Sequence, residues 1–266
     1  MPMMYLGYKF QRPLEKDFIV VQWDQRGAGK SFSDQIPVST ITIEQYVSDA
    51  FQLIDTLKHR YGKQKIFLAA HSWGTYLGSI LVNRHPELFV AYISIGQVVD
   101  DKKAVPIQMK FLQEEAKRRR DKKALVELEK HGKRVFEKYL FEYGGELKHS
   151  KTFLPLLLTG LGAREYSFKD ALNVSKGPNF CNKHMVYNAI NGSIMENIRA
   201  YQVPVYFLVG KNDYTTPWAL IADYYEIIKA PAKELIWFNE SAHFPFFEEP
   251  DKFSIIVERI LKSEKQ

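Results

Sequence analysis

A chain of 266 residues, 45% hydrophobic and 26% charged, has ordinary globular composition and suits one large domain or a domain carrying an insertion. A core of that size needs no covalent staples, and the single cysteine, Cys181, excludes an intramolecular disulfide. No apolar run reaches the length of a membrane span, and residues 1–10 lack the basic start, apolar block and small-residue cleavage site of a signal peptide, so a reduced, cytoplasmic setting is expected. The net charge of +6 gathers in Lys117-Arg118-Arg119-Arg120-Asp121-Lys122-Lys123. Glu114, Glu115, Glu127 and Glu129 flank that run as on a solvated helix, so neither nucleic acid nor a membrane is the expected partner.

In chain order, residues 17–23, DFIVVQW, form a short apolar run with β-branched residues that predicts a buried strand, ended by Gly27 and Gly29. Residues 42–61 carry Ile43, Tyr46, Val47, Phe51, Ile54 and Leu57 at helical spacing; Thr42 can cap that helix with Gln45 in the reciprocal position, and Gly62 closes it. Residues 65–70, KIFLAA, predict a second strand, 73–84 a helix stopped before Pro86, and 90–95 a third strand. Residues 107–143 then read as long, helical and charged, up to Gly144-Gly145, and 146–200 show no strand–helix rhythm. The rhythm returns with a strand at 203–210, a helix at 218–229, a strand at 233–238 and a helix at 251–262. Alternation of this kind implies an α/β fold, a mostly parallel sheet covered on both faces. The expected division is a core of residues 1–104 and 201–266 interrupted by a helical lid, residues 105–200.

Ala70-His71-Ser72-Trp73-Gly74 lies between a predicted strand and a predicted helix, the setting of a nucleophile elbow. So tight a turn needs small residues near the serine, here Ala70 and Gly74, and it presents the Ser72 hydroxyl at the carboxyl end of the sheet. Free N–H groups at the start of the following helix favour developing negative charge, and the N–H of Trp73 is the candidate donor to an oxyanion. A serine needs a base. Of seven histidines, His243 follows the last predicted strand and reaches the same rim; His71 is adjacent to the serine, but its side chain diverges from so sharp a turn and suits packing or loop support. The base needs a carboxylate to fix its tautomer. Asp213, after the strand at 203–210, reaches that rim, with Asp100 as the rival. Neither the lone cysteine nor the scattered histidines have metal-ligand spacing, so no metal or cofactor is expected.

With these residues in hand, the chain from about Asp17 to its end resembles the α/β-hydrolase superfamily. Within it, Trp23-Asp24-Gln25-Arg26-Gly27-Ala28-Gly29-Lys30-Ser31 is similar to the WDQRGxGxS signature of proline iminopeptidases and their relatives. The resemblance implies cofactor-free hydrolysis of a small-molecule or short-peptide substrate by a serine hydrolase of aminopeptidase type, under a helical lid. A carboxylesterase, or a weakly active member acting by binding, is the alternative. Gly29-Lys30-Ser31 also imitates the end of a phosphate-binding loop, but Asp24 stands where such a loop needs glycine. Two departures from the family pattern stand out. The lid glutamate that holds a substrate's free amine in an ENHYF-like stretch has only Met195-Glu196-Asn197-Ile198 as its nearest counterpart. Residues 17–23 match the fourth strand of the family fold, so a shortened amino end is expected, lacking the first three strands and the HGGPG-like loop with its second oxyanion N–H. A gap or a direct pairing is then expected between the strands at 17–23 and 65–70, with apolar surface exposed beside them.

Overall fold

The computed structural model describes residue 7 and residues 11–160, 162–185 and 193–264. After a 3-10 turn at Arg12–Lys16 and an irregular stretch with two more such turns, at Gly29–Ser31 and Val38–Thr40, the chain forms α1 (Ile43–Tyr61), β1 (Ile66–His71), α2 (Trp73–Arg84) and β2 (Phe89–Ile95). The segment expected as an insertion follows as α3 (Asp101–Arg118), α4 (Lys122–His131), α5 (Phe136–Tyr143), α6 (Leu154–Gly160), α7 (Phe168–His184) and α8 (Ile194–Asn197). The chain then returns to β3 (Val205–Gly210), α9 (Trp218–Ile227), β4 (Lys233–Phe238), α10 (Pro245–Glu248) and α11 (Pro250–Ser263).

The four strands form one parallel sheet in the order β1-β2-β3-β4. Its register sets His71 beside Ile95, Ile95 beside Leu208 and Gly210 beside Phe238, so the loops after all four strands leave from one rim. Side chains alternate across the sheet with the strand period of two. Tyr92, Val205, Phe207 and Val209 join one core with α1, α2 and α9, while Ile93, Ile95, Tyr206 and Leu208 join a second with α11. A third cluster, Leu112, Ala116, Leu128, Phe136 and Tyr139 among others, lies in the segment expected as an insertion, with Tyr214 from the loop after β3 packed against it.

Residues 17–23 depart from expectation: they form no strand and do not enter the sheet. The alternation that suggested a strand is present, with Phe18 and Val20 against the core and Ile19 and Val21 at 59% and 44% exposure. What is missing is a ladder. Phe18 meets Phe67 of β1 ring edge to face at 6.2 Å, but among the described residues no strand pairs with the outer edge of β1. A β-strand needs a neighbour to take its N–H and C=O groups, and side-chain pattern alone does not supply one. β1 is correspondingly half-exposed along its length, whereas β3 is buried throughout.

The helical stretch expected at 107–143 is three helices. Arg120 adopts φ 56°, Asp121 caps α4 by accepting from the Ala124 N–H at 2.9 Å, and Gly132 at φ 53° ends it, so the helices fold back on one another. At α1, Thr42 caps the Gln45 N–H at 3.2 Å, but the Gln45 side chain pairs with Asp49 instead of returning to the cap.

Candidate active site

Ser72 sits between the last residue of β1 and the first of α2 with φ 53° and ψ −125°, a left-handed conformation that costs a non-glycine residue about 1–3 kcal/mol. Neighbouring structure holds it there: the Ser72 N–H donates to the Ile95 carbonyl at 3.0 Å, and the Ser72 carbonyl accepts from Thr75 through both N–H and Oγ1. A Cβ on Gly74 would lie 3.7 Å from that of Ala70, in van der Waals contact, so the two small residues face each other across the turn. The Trp73 N–H opens α2, where helix N–H groups have no intrahelical partner, and its indole stacks on Tyr76 at 5.7 Å.

His243 and Asp213 arrive on the loops after β4 and β3. Asp213 Oδ2 lies 2.8 Å from His243 Nδ1, and both side chains are almost wholly removed from solvent. The same carboxylate accepts from Thr216 Oγ1 at 2.8 Å and from the N–H groups of Thr215 and Thr216 at 2.9 Å each, so its two oxygens are fully occupied. A carboxylate acceptor at Nδ1 puts the proton of a neutral ring there and leaves Nε2 as a lone pair. That Nε2 is buried with no hydrogen-bond partner among the described residues. Gly96 comes directly after the Ile95 carbonyl that holds Ser72, and it lies against the other two residues: at φ 57°, a Cβ there would be 3.0 Å from the His243 ring and 3.2 Å from Asp213.

Burial works against a charge on His243, but Asp213, by proximity and by hydrogen bond, and then Glu146 and Glu248 outweigh it and raise its pKa above the ordinary histidine value. Glu146 has no counterpart among the sequence expectations. It lies just beyond α5, where its carbonyl accepts from the His243 N–H at 3.0 Å and its carboxylate from the Thr215 hydroxyl. Burial raises its pKa, partly offset by His243 and Thr215. The signal in the sequence was the Gly144-Gly145 break, which permits the chain to pass between the two rim loops: the Gly145 carbonyl accepts from the Tyr214 N–H at 2.9 Å. Glu248 completes the support, accepting from Ala242 N–H at 2.7 Å and Lys148 N–H at 2.6 Å.

Other expectations fall elsewhere. Asp100 caps α3 through the Lys103 N–H at 2.9 Å. Glu196, the nearest sequence counterpart of an amine-holding lid glutamate, is exposed on the short helix α8. The Trp23–Ser31 motif lies between α1 and α7: Arg26 forms a two-pronged ion pair with Asp49 of α1 at 2.7 and 2.8 Å, and Gly27 at φ 76° lies where a Cβ would be 2.7 Å from Cys181 Sγ of α7. Asp24 accepts from the Lys30 N–H at 2.8 Å, which fills with a carboxylate the place a phosphate would need. Among the described residues no group of three or more His, Cys, Asp or Glu could hold a metal ion, and no helix is long and apolar enough to cross a membrane.

Comparison with known proteins bears on the family and the fold. A family described as serine aminopeptidase, S33, matches residues 9–139. The probable aminopeptidase YbaC of Bacillus subtilis (strain 168) is 29% identical over 96% of this chain and 84% of its own. The proline iminopeptidase of Mycobacterium smegmatis superposes with a TM-score of 0.70 at 18% identity, over 99% of this chain and 86% of its own. An esterase from Exiguobacterium antarcticum does so with a TM-score of 0.60 at 16% identity, over 100% and 88%. At such identities the two structures speak for the fold alone, and that fold is the α/β-hydrolase fold.

Proposed function

We propose that this chain is a serine hydrolase of aminopeptidase type that works through an acyl-enzyme. One observation carries the reading: a serine in a left-handed conformation at a strand–helix turn shares its rim of the sheet with a buried histidine whose Nδ1 is bonded to a buried aspartate. The matches to the serine aminopeptidase family and to YbaC support the choice of substrate class.

In this mechanism His243 Nε2 takes the Ser72 proton as Oγ attacks the scissile carbonyl, and the Trp73 N–H at the start of α2 donates to the oxyanion. Collapse of the tetrahedral adduct breaks the C–N bond, and His243 returns its proton to the leaving amine. Water, activated by the same ring, then cleaves the ester on Ser72. Asp213 holds the tautomer and stabilises the imidazolium. An aminopeptidase must also recognise a free ammonium group, and Glu146 is our candidate for that contact. It is a low-lying carboxylate beside the base, and an ammonium would supply the charge its burial lacks. The helices of the insertion act as the lid over the site.

The test is labelling with a fluorophosphonate followed by a panel of prolyl and other aminoacyl amides, their N-acetylated forms, and short acyl esters. The expected result is labelling at Ser72 alone, lost in Ser72→Ala, with hydrolysis of free-amine substrates preferred and that preference reduced in Glu146→Gln. Labelling at another residue would refute the mechanism. Equal hydrolysis of free and acetylated amides, or hydrolysis of esters alone, would replace the aminopeptidase with an esterase.

A further inference from the structure

One contact beside the site has no part in the reaction described above. His71 is the last residue of β1 and one peptide bond from Ser72, and its Nε2 lies 2.7 Å from the backbone carbonyl oxygen of His243. A carbonyl oxygen can only accept, so His71 Nε2 carries a proton and donates it. The imidazole is packed with its centroid 4.6 Å from that of His243, 5.0 Å from Phe244 and 5.1 Å from Phe246. The side chain therefore leaves the Ser72 turn and ends on the base loop, attached to the nucleophile by covalent bonds and to the base by a hydrogen bond.

The other supports of the base loop run to different places. Asp213 ties the His243 ring to the loop after β3, Glu146 ties its N–H to the insertion, and Glu248 and Glu249 tie residues 240–242 to the end of α10. Each fixes His243 relative to the acid or to the insertion. The His71 bond fixes it relative to β1 and Ser72, the distance on which proton transfer depends. We infer that His71 is a positioning residue that sets the separation of Ser72 and His243 by holding the His243 carbonyl, an inference that rests on reading those two residues as nucleophile and base.

Three requirements at this position point to histidine. The donor must stand at the reach of Nε2 from the Cα; the group must be flat enough to pack among three aromatic rings; and it must stay neutral while His243 takes a proton 4.6 Å away, centroid to centroid. Burial, and then the charge of His243, hold the His71 pKa well below the ordinary histidine range, so the third requirement is met in place. A glutamine offers its amide nitrogen at nearly the reach of Nε2, an asparagine only at that of Nδ1, and a phenylalanine keeps the ring without a donor.

Two readouts on His71→Gln, His71→Asn and His71→Phe test the inference. The first is the far-downfield proton resonance of His243 Nδ1–H in its bond to Asp213, which needs no turnover. The second is the rate of Ser72 modification by a fluorophosphonate under saturating and subsaturating probe. In His71→Phe and His71→Asn the resonance is expected to move or broaden and the saturating rate to fall about 10–100-fold, the cost of misplacing a reacting group by an ångström or less. The probe concentration at half-saturation should stay unchanged, and His71→Gln should keep both readouts near the wild type. Wild-type behaviour in His71→Phe and His71→Asn would overturn the inference, as would a His71→Gln as impaired as they are. Should His71→Phe not fold, the Gln and Asn pair decides alone, since both are polar and differ in the reach of the donor. A wild-type chain inert to the probe would count against the serine mechanism, while the resonance series would still decide whether His71 holds His243. Absence of any such resonance in the wild type would overturn the inference as well.

Discussion

Asp213 Oδ1 accepts two backbone N–H groups, from Thr215 and Thr216, while Oδ2 accepts the His243 Nδ1 proton and the Thr216 hydroxyl. This division makes the outcome of Asp213→Asn specific. The amide oxygen must stay with the two N–H groups, so the NH2 faces His243 and forces the tautomer that carries its proton on Nε2. That ring cannot act as a base toward Ser72. Turnover is expected to fall about 10³–10⁴-fold with the fold retained, read from steady-state kinetics beside a melting curve. Asp100→Ala is the control: it should lose about 1 kcal/mol through the cap of α3 and leave turnover within a few-fold. The reverse pattern would make Asp100 the acid.

The charge around His243 sets the expected pH dependence. Burial opposes its protonation, but Asp213, Glu146 and Glu248 raise its pKa above 6.5. The base must be neutral to take the Ser72 proton, so kcat/KM should fall as pH drops, with the acid limb centred above 6.5. Glu146→Gln removes one of the negative charges and should move that limb to lower pH. The stability linkage has the opposite sense. A raised pKa in the folded state contributes stability that is present below the unfolded value and is lost as pH rises through the folded one. A pH–rate profile with its acid limb below 6.5 would contradict the electrostatic account.

How much of this was legible in the sequence depended on the range of the interactions. The helix over Ile43–Tyr61, the Ser72 turn and the rim positions of Asp213 and His243 are local patterns: a cap, a strand–helix junction and a loop after a strand. The run at 17–23 was misread because its alternation, with Phe18 and Val20 inward and Ile19 and Val21 outward, is real, whereas a strand ladder depends on a neighbour that side chains do not announce. Glu146 was missed because its position follows from where Gly144 and Gly145 let the chain turn and from contacts to Tyr214, Thr215 and His243, far off in sequence. His71 was recognised as loop support, but its partner, the His243 carbonyl, is 172 residues away.

The carboxyl end of β3 carries the base loop on its backbone. A Cβ on Gly210 would lie 1.8 Å from the Ala242 carbonyl oxygen and 2.7 Å from that of Ser241. Backbone cannot yield as a side-chain tip does, so Gly210→Ala must push residues 241–243 off the rim. The expected cost is about 1–3 kcal/mol in stability together with a fall of more than about 10-fold in turnover. Gly62→Ala separates the two effects. With φ 61° and nothing within 4 Å, it should cost about 1–2 kcal/mol of left-handed strain and leave turnover unchanged. Equal activity loss in both variants would show that turnover follows global stability and not the placement of His243.

The last prediction concerns the docking of the insertion on the Trp23–Ser31 motif. The Tyr166 hydroxyl donates to Asp24 Oδ1 at 2.6 Å, and Asp24 Oδ2 takes the Lys30 N–H at 2.8 Å, so one carboxylate ties α7's approach to the turn around Gly27 and Gly29. The Lys30 ammonium adds a bond to the Glu165 carbonyl at 3.0 Å. A hydrogen bond to an ionised partner is worth about 1.5–3 kcal/mol, and the Tyr166 site is half-buried, so a value near the lower end is expected. That energy fastens one segment to another and contributes little to the sheet. Tyr166→Phe should therefore raise the amide exchange rate of α7 by roughly 10-fold, the equivalent of about 1.4 kcal/mol, while β2 and β3 keep their protection. Asp24→Asn should do the same, and the double variant should be little worse than either single one, because each removes the same bond. Additive effects, or a loss of protection spread evenly over the sheet, would mean that Asp24 and Tyr166 stabilise the fold separately and do not latch the insertion.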